Sequence, residues 1–243
     1  MNTGTVLITA DPNEAASTIQ AGKQNGFEFI HLPLEWMETN PGITHDALAQ
    51  EIHDNDIIVL GSYRNTYHFL NLVEQFELQE TVRVKLNFTM TRASANLLEA
   101  NGVPGISSHP HIKAIHLLEL IIRLGQLRPA VYPQMEEALE EMPALFEELD
   151  VPCHTLPVCT RKYPDPDQLK KYRQRLRIDK PDYVFIHDKD MIRYLAVAFS
   201  ELDLQSVTVI AANQTVTNEL KKRSIPCITT KEAGFPTENF WQY

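Results

Sequence analysis

Cysteine is scarce in this 243-residue chain: Cys153, Cys159 and Cys227 are the whole set. An odd number at wide spacing builds no disulfide framework and no CxxC metal pair. No apolar run approaches the ~20 residues that a membrane-spanning helix needs. The opening TVLITA is only strand-length and gives way to Asp11 and Glu14, which is unlike a secretory leader. A cytoplasmic protein in a reducing compartment is therefore expected. Positive charge is also short. The formal net charge of -10 argues against nucleic acid or an anionic membrane as the main partner. The basic run at Lys170, Lys171, Arg173, Arg175 and Arg177 reads most simply as a solvated helix face. Phosphate and nucleophile motifs are missing as well. There is no GxGxxG after a strand, no GxxxxGK[ST] loop and no GxSxG elbow. His109, His111 and His116 form HxHxxxxH, but no carboxylate or cysteine lies near enough in sequence to complete a metal site. No metal is expected.

What is present is apolar patterning. The apolar fraction is 43%, enough for a substantial core, and the length suits two ordinary domains. TVLIT at 5–9 is a β-branched run, followed by Asp11 as a helix cap and Pro12 in the first turn. Ala15, Ala16, Ile19 and Ala21 form the expected packing face, and Gly26 ends the helix. FEFIHLPL is a second strand. Strand, helix and strand in this order predict an open parallel sheet. DIIVL at 56–60, VKLNF at 84–88, PAVYPQ, CHTLPVCT, DYVFI and VTVI read as further strands. HIKAIHLLELIIRL at 111–124 is an amphipathic helix, and a Glu-rich helix is expected over 134–149.

The chain also repeats itself. VKLNFTMTRASANLLEANGVPGISS at 84–108 returns as VTVIAANQTVTNELKKRSIPCITT at 207–230. Ser94 pairs with Val216, Gly102 with Ser224, Pro104 with Pro226 and Ile106 with Ile228. Leu32-Pro33-Leu34 returns as Leu156-Pro157-Val158, and DIIVLGS as DYVFIHD, at nearly the same spacing. Three units in one order indicate a duplicated β/α half. LPLEWMETNPG and LPVCTRKYPDPD each run from a strand into a proline-rich polar stretch, where proline discourages helix. Two such crossovers predict two doubly wound α/β domains, with the chain leaving the first and returning to it. Domain 1 would hold 1–34 plus 162–243, domain 2 would hold 39–155, and 35–38 and 156–161 would be linker strands.

Ligands of open parallel sheets sit beyond the carboxyl ends of the strands. The residues there are Ser62, Tyr63 and Arg64 after DIIVL, and Arg92 and Ser94 after VKLNF. Gln134 follows AVY, His187 and Lys189 follow DYVFI, and Asn213, Gln214 and Thr215 follow VTVI. Each alone is explained by helix capping. As a set they offer hydroxyls, amides and helix N-termini suited to carboxylate or phosphate groups.

The pattern resembles the uroporphyrinogen-III synthase family. LGSYRNTYHF at 60–69 is similar to that family's T-S-x-N-like turn before a helix bearing phenylalanine, keeping Ser62 and Phe69. The two long repeats resemble its V-G-x-x-T-A…L…G unit, with Ser94-Ala95 in the first and Thr215-Val216 in the second. The resemblance spans almost the whole chain through topology and spacing. Departures are specific. Cys159 stands where a tyrosine is common, and Gln134 to Glu137 replace a glycine–arginine element. Phe185-Ile186-His187-Asp188-Lys189 replaces a second T-S turn, and Val216 replaces a threonine.

The resemblance implies two α/β domains joined by a two-stranded ladder, and a cofactor-free lyase of heme (porphyrin) biosynthesis. Hydroxymethylbilane, a linear tetrapyrrole, would lose water at ring A, and the macrocycle would close with ring D inverted. Weak catalytic candidates are Cys159 and Thr215. The polycarboxylate substrate requires local cations, for which Arg64, Arg92, Arg161, Lys189 and Lys231 are available. A monomer acting without nucleic acid or membrane is expected. Two other readings share the architecture: a non-catalytic protein binding a tetrapyrrole or other anion, and a sensor whose hinge closes on a small ligand.

Overall fold

The computed structural model describes residues 4–107, 113–136 and 141–234. In chain order the elements are β1 (Thr5–Ile8), α1 (Pro12–Gln24), β2 (Glu28–His31), β3 (Trp36–Thr39), α2 (His45–Asp54), β4 (Ile57–Leu60) and α3 (Tyr63–Gln75). Next come α4 (Gln79–Arg83), β5 (Leu86–Thr89), α5 (Arg92–Ala100), α6 (Ala114–Arg123), β6 (Ala130–Met135), α7 (Glu141–Glu147) and β7 (Cys153–Lys162). The chain ends with α8 (Pro166–Ile178), β8 (Tyr183–Ile186), α9 (Met191–Ala198), β9 (Thr208–Ala211), α10 (Gln214–Lys222) and β10 (Cys227–Thr229). Contacts divide it into one unit of Met1–Trp36 with Lys162–Tyr243 and a second of Met37–Arg161.

Each unit has its own sheet, ordered β10-β9-β8-β1-β2 in the first and β3-β7-β6-β4-β5 in the second. In the first unit β1 pairs in parallel with β2 and β8, and β9 with β8 and β10. In the second, β4 pairs in parallel with β5 and β6, and β6 with β7. This is the two-domain α/β architecture expected from the sequence. The central strands explain themselves: Ile57, Ile58, Val59 and Leu60 in β4 are all fully buried, as strands covered on both faces must be.

The duplication is visible strand by strand. β7-β6-β4-β5 occupies the same order as β2-β1-β8-β9. β10 extends one sheet beyond β9, where Ile228 pairs with Ile210. Its counterpart Ile106 makes an isolated parallel bridge to Phe88 on β5. The helix ends correspond too. Gly102 has φ 69° and Ser224 has φ 57°. Both sit in left-handed caps in which Val103 N donates to Leu98 O and Ile225 N donates to Leu220 O, each at 3.0 Å.

Chirality places the helices. Right-handed crossovers put α1 on one face of the first sheet and α9 and α10 on the other. Val6, Ile8, Ala15, Phe27 and Phe185 pack on the first face, and Leu7, Val184, Leu195, Val216 and Leu220 on the second. In the second unit α3, Leu48 and Ile52 of α2, and Leu98 of α5 cover one face, while Leu117 and Ile121 of α6 and Phe146 of α7 cover the other.

Some expectations shift. The buried positions of α1 are Ala15, Thr18 and Gly22, whereas Ala16 is exposed. Successive residues turn by about 100°, so the inward stripe runs i, i+3, i+7 and leaves Ala16 outside it. The helix expected over 134–149 begins only after β6, because Gln134 and Met135 stay in the ladder opposite Pro157 and Cys159. The proline-rich stretch, by contrast, keeps to expectation: it is extended to Lys162 and irregular through Asp165, and helix begins only at Pro166. Asp165 caps α8, with its Oδ1 accepting from Gln168 N at 2.7 Å, and Pro166 occupies the first turn, where no N–H is needed.

Candidate functional site

Both sheets have a point where successive crossovers diverge, and crevices beyond the strands form there. In the first unit it lies between β1 and β8, and in the second between β4 and β6. The sequence-predicted residues gather at these carboxyl edges.

In the second unit the edge is led by the start of α3. Ser62 caps the helix: its Oγ accepts from Asn65 N at 3.2 Å, and its carbonyl accepts from Thr66 Oγ1 at 2.7 Å. Three polar bonds at one residue hold this turn firmly, with Thr66 N also donating to Ser62 O. Tyr63 and Arg64 are half-buried in the first turn of α3. Arg92 is exposed at the start of α5. Ser94 is fully buried, its N donating to Thr91 Oγ1 at 3.1 Å and its hydroxyl bonded to the same oxygen at 2.8 Å. Ser94 thus completes the α5 cap. Gln134 stands near the end of β6, and Arg161 is exposed near the end of β7, its Nη2 3.7 Å from Met135 Sδ. Cys159 is buried in the core with its Sγ 4.0 Å from Asn65 Oδ1, so its thiol meets α3 rather than solvent.

In the first unit, His187 follows β8 and is buried, and Asn213 Nδ2 donates to its carbonyl at 3.3 Å, tying the ends of β8 and β9 together. Asn213 also caps α10, its Oδ1 accepting from Val216 N at 3.0 Å. Gln214 and Thr215 are exposed in the first turn of α10, and Gln214 Nε2 donates to Asn218 Oδ1 at 2.9 Å. Lys189 and Lys231 are exposed in the turns after β8 and β10. All five candidate cations therefore lie at or just after the carboxyl end of a strand: Arg64, Arg92 and Arg161 in the second unit, Lys189 and Lys231 in the first.

The structure buries further polar residues, of which sequence reasoning had named Asp11 as a cap and passed over His68. Asp11 is buried at the divergence point of the first sheet, its Oδ1 accepting from Asn13 N at 2.8 Å as the α1 cap. In the second unit Asn65 and His68, both on α3, are buried. His68 Nδ1 shares a hydrogen bond with Thr39 Oγ1 of β3 at 2.9 Å. The available signal was their place in the apolar stripe of α3 beside Phe69 and Leu72, where a polar residue demands a partner.

A groove of about 850 Å³ lies alongside α7 and the start of β7, lined by Glu141, Glu147, Asp150, Cys153 and Thr155 and reaching Gln134. Burial pushes the Cys153 thiol up to about 12. Three carboxylates and a neutral thiol make a wall suited to no polyanion. Among the described residues no group of three or more His, Cys, Asp or Glu could hold a metal ion. His116 is exposed on α6, and His109 and His111 lie outside the described residues. No helix among the described residues is long and apolar enough to cross a membrane.

No family model matches the sequence, and no curated protein matches it. Solved structures do share its architecture. A mutant uroporphyrinogen III synthase from Thermus thermophilus superposes with a TM-score of 0.58 at 13% identity, over 98% of this chain and 94% of that one. A uroporphyrinogen-III synthetase from Helicobacter pylori also gives 0.58, at 11% identity, over 94% of this chain and 92% of that one. The chain therefore has the two-unit α/β fold of the uroporphyrinogen III synthases, as its sequence resemblance implied.

Proposed function

We propose that the protein is a uroporphyrinogen-III synthase, a cofactor-free lyase that cyclises hydroxymethylbilane with inversion of ring D. The observation that carries this reading is a fold shared along nearly the full length of both chains at a TM-score of 0.58. The strand-end cations support it, because a linear tetrapyrrole presents many carboxylates.

In this reading Arg64, Arg92 and Arg161 of one unit and Lys189 and Lys231 of the other bind substrate carboxylates. Backbone N–H groups at the starts of α3, α5 and α10 add further donors, favoured by the helix dipole. Tyr63, Gln134, His187, Gln214 and Thr215 supply hydrogen bonds that orient the chain ends. The chemistry asks little of any one side chain. Water leaves ring A, the pyrrole electrons stabilise the resulting cation, and ring D attacks it through its substituted carbon to give a spiro intermediate. The old bond from that carbon to the ring C methylene then breaks, and the methylene rejoins ring D at its free carbon with loss of that carbon's proton. The protein's part is to hydrogen-bond the departing hydroxyl and hold the ends in the inverting geometry. No thiol is needed, which agrees with the buried setting of Cys159.

The test is to supply hydroxymethylbilane and resolve the macrocycle isomers. Type III product above the spontaneous type I background is the expected result. Type I alone with measurable binding would mark a tetrapyrrole-binding protein instead, and no binding would remove the tetrapyrrole altogether.

A further inference from the structure

We propose that His68 is a positioning residue: its hydrogen bond to Thr39 fixes the register of α3 against β3 and so sets where Tyr63 and Arg64 stand. This rests on the reading above that the first turn of α3 meets substrate.

The chain passes between the two units twice, after Trp36 and after Arg161. β3 is the first stretch beyond the first of these crossings, and β7 leads into the second. β3 is bound firmly to β7: Asn40 N donates to Val158 O at 2.9 Å, and Asn40 Nδ2 donates to Pro157 O at 2.7 Å. Thr39, immediately before Asn40, is therefore a fixed anchor. His68 reaches it from α3 at 2.9 Å and is only 4% exposed.

Most of the grip on α3 is apolar, through Phe69, Leu72 and Val73. Apolar packing is non-directional and tolerates small slides and rotations of a helix. A buried hydrogen bond does not, because a slide leaves two desolvated polar groups unpaired. His68 lies four residues after Arg64, about one turn and ~6 Å along the axis, on the same side of the helix. A shift at the His68 anchor therefore carries Arg64 with it. The ring of Tyr67 adds an edge contact to His68, with centroids 5.2 Å apart, which narrows the imidazole's freedom further.

Four full-length variants test this: Thr39→Val, His68→Leu, His68→Asn and the Thr39→Val/His68→Leu double. Two readouts are needed, hydrogen exchange at the Asn65 and Thr66 amides and steady-state formation of type III product. Thr39→Val and His68→Leu should each speed that exchange about tenfold or more, and the double should be no faster than His68→Leu alone, since the bond to Thr39 is already lost there. Each should raise KM for hydroxymethylbilane about fivefold with kcat within about twofold, because ground-state carboxylate contacts are displaced. His68→Asn, which keeps a polar atom at the Nδ1 position, should recover most of both effects. Unchanged exchange in the singles, additive exchange in the double, or no recovery in His68→Asn would overturn the proposal. If the unmodified protein forms no type III product, the functional reading fails, while the exchange arm still decides whether the clip exists.

Discussion

Charge and burial at single residues divide the candidate site into parts that bind and parts that hold. Arg64 is half-buried at a helix start, whereas Ser94 spends its hydroxyl on Thr91. Truncating Arg64 to Ala should therefore raise KM for hydroxymethylbilane by about tenfold, the worth of one charge-assisted hydrogen bond. An unchanged concentration dependence would take Arg64 out of the site. Cys159→Ala should alter turnover by less than about twofold, since the thiol faces Asn65 within the core, away from solvent. A hundredfold fall in rate with the fold intact would contradict this. Cys153 gives a pH signature. Its thiol is raised from the ordinary 9.0 to about 12 by burial. Below pH 9 it is neutral in the folded and unfolded chains alike, and its burial is harmless. Above that the unfolded chain ionises first, so stability should fall from about pH 9 towards pH 12. Urea midpoints measured from about pH 8 to 11 should decline less steeply in Cys153→Ala.

Among the elements, the helix starts carry both stability and function. α3, α5 and α10 each begin with a side chain that accepts from a backbone N–H in the first turn: Ser62, Thr91 and Asn213. These positions were readable from sequence, because Ser, Thr and Asn before an apolar periodic run have few other uses. Asn213→Ala should cost about 1 kcal/mol, seen as a drop in the denaturant midpoint. It should also release the bond to His187 O, so the loss should exceed that of a cap that makes no second contact, such as Thr44→Ala on α2. Equal losses would mean that the Asn213–His187 link carries nothing. The left-handed helix ends at Gly102 and Ser224 were legible only as a pairing in the repeat. That both adopt positive φ follows from the shared way the chain leaves α5 and α10, which no local propensity would assign to a serine.

For the molecule as a whole, the two units differ in how the chain supplies them. The second unit is one continuous stretch, Met37–Arg161, containing all five strands of its sheet and both of its apolar clusters. A fragment of residues 37–161 should therefore fold alone, with a cooperative thermal melt by circular dichroism. The first unit needs both of its segments, since β1 and β2 complete the sheet begun by β8, β9 and β10. Residues 162–243 alone should show no cooperative melt.

Apolar strand runs, cap residues and the repeated stretches were enough to establish parallel sheets, duplication and the strand-end location of the candidate residues. These are local or periodic properties, written in neighbouring residues. The sequence could not say that Met135 stays in a strand, that Ser94 and Cys159 turn inward, or that His68 meets Thr39. Those outcomes depend on which strands become neighbours and on the register between them. Register is decided by packing between residues far apart in the chain, after local preferences have been satisfied.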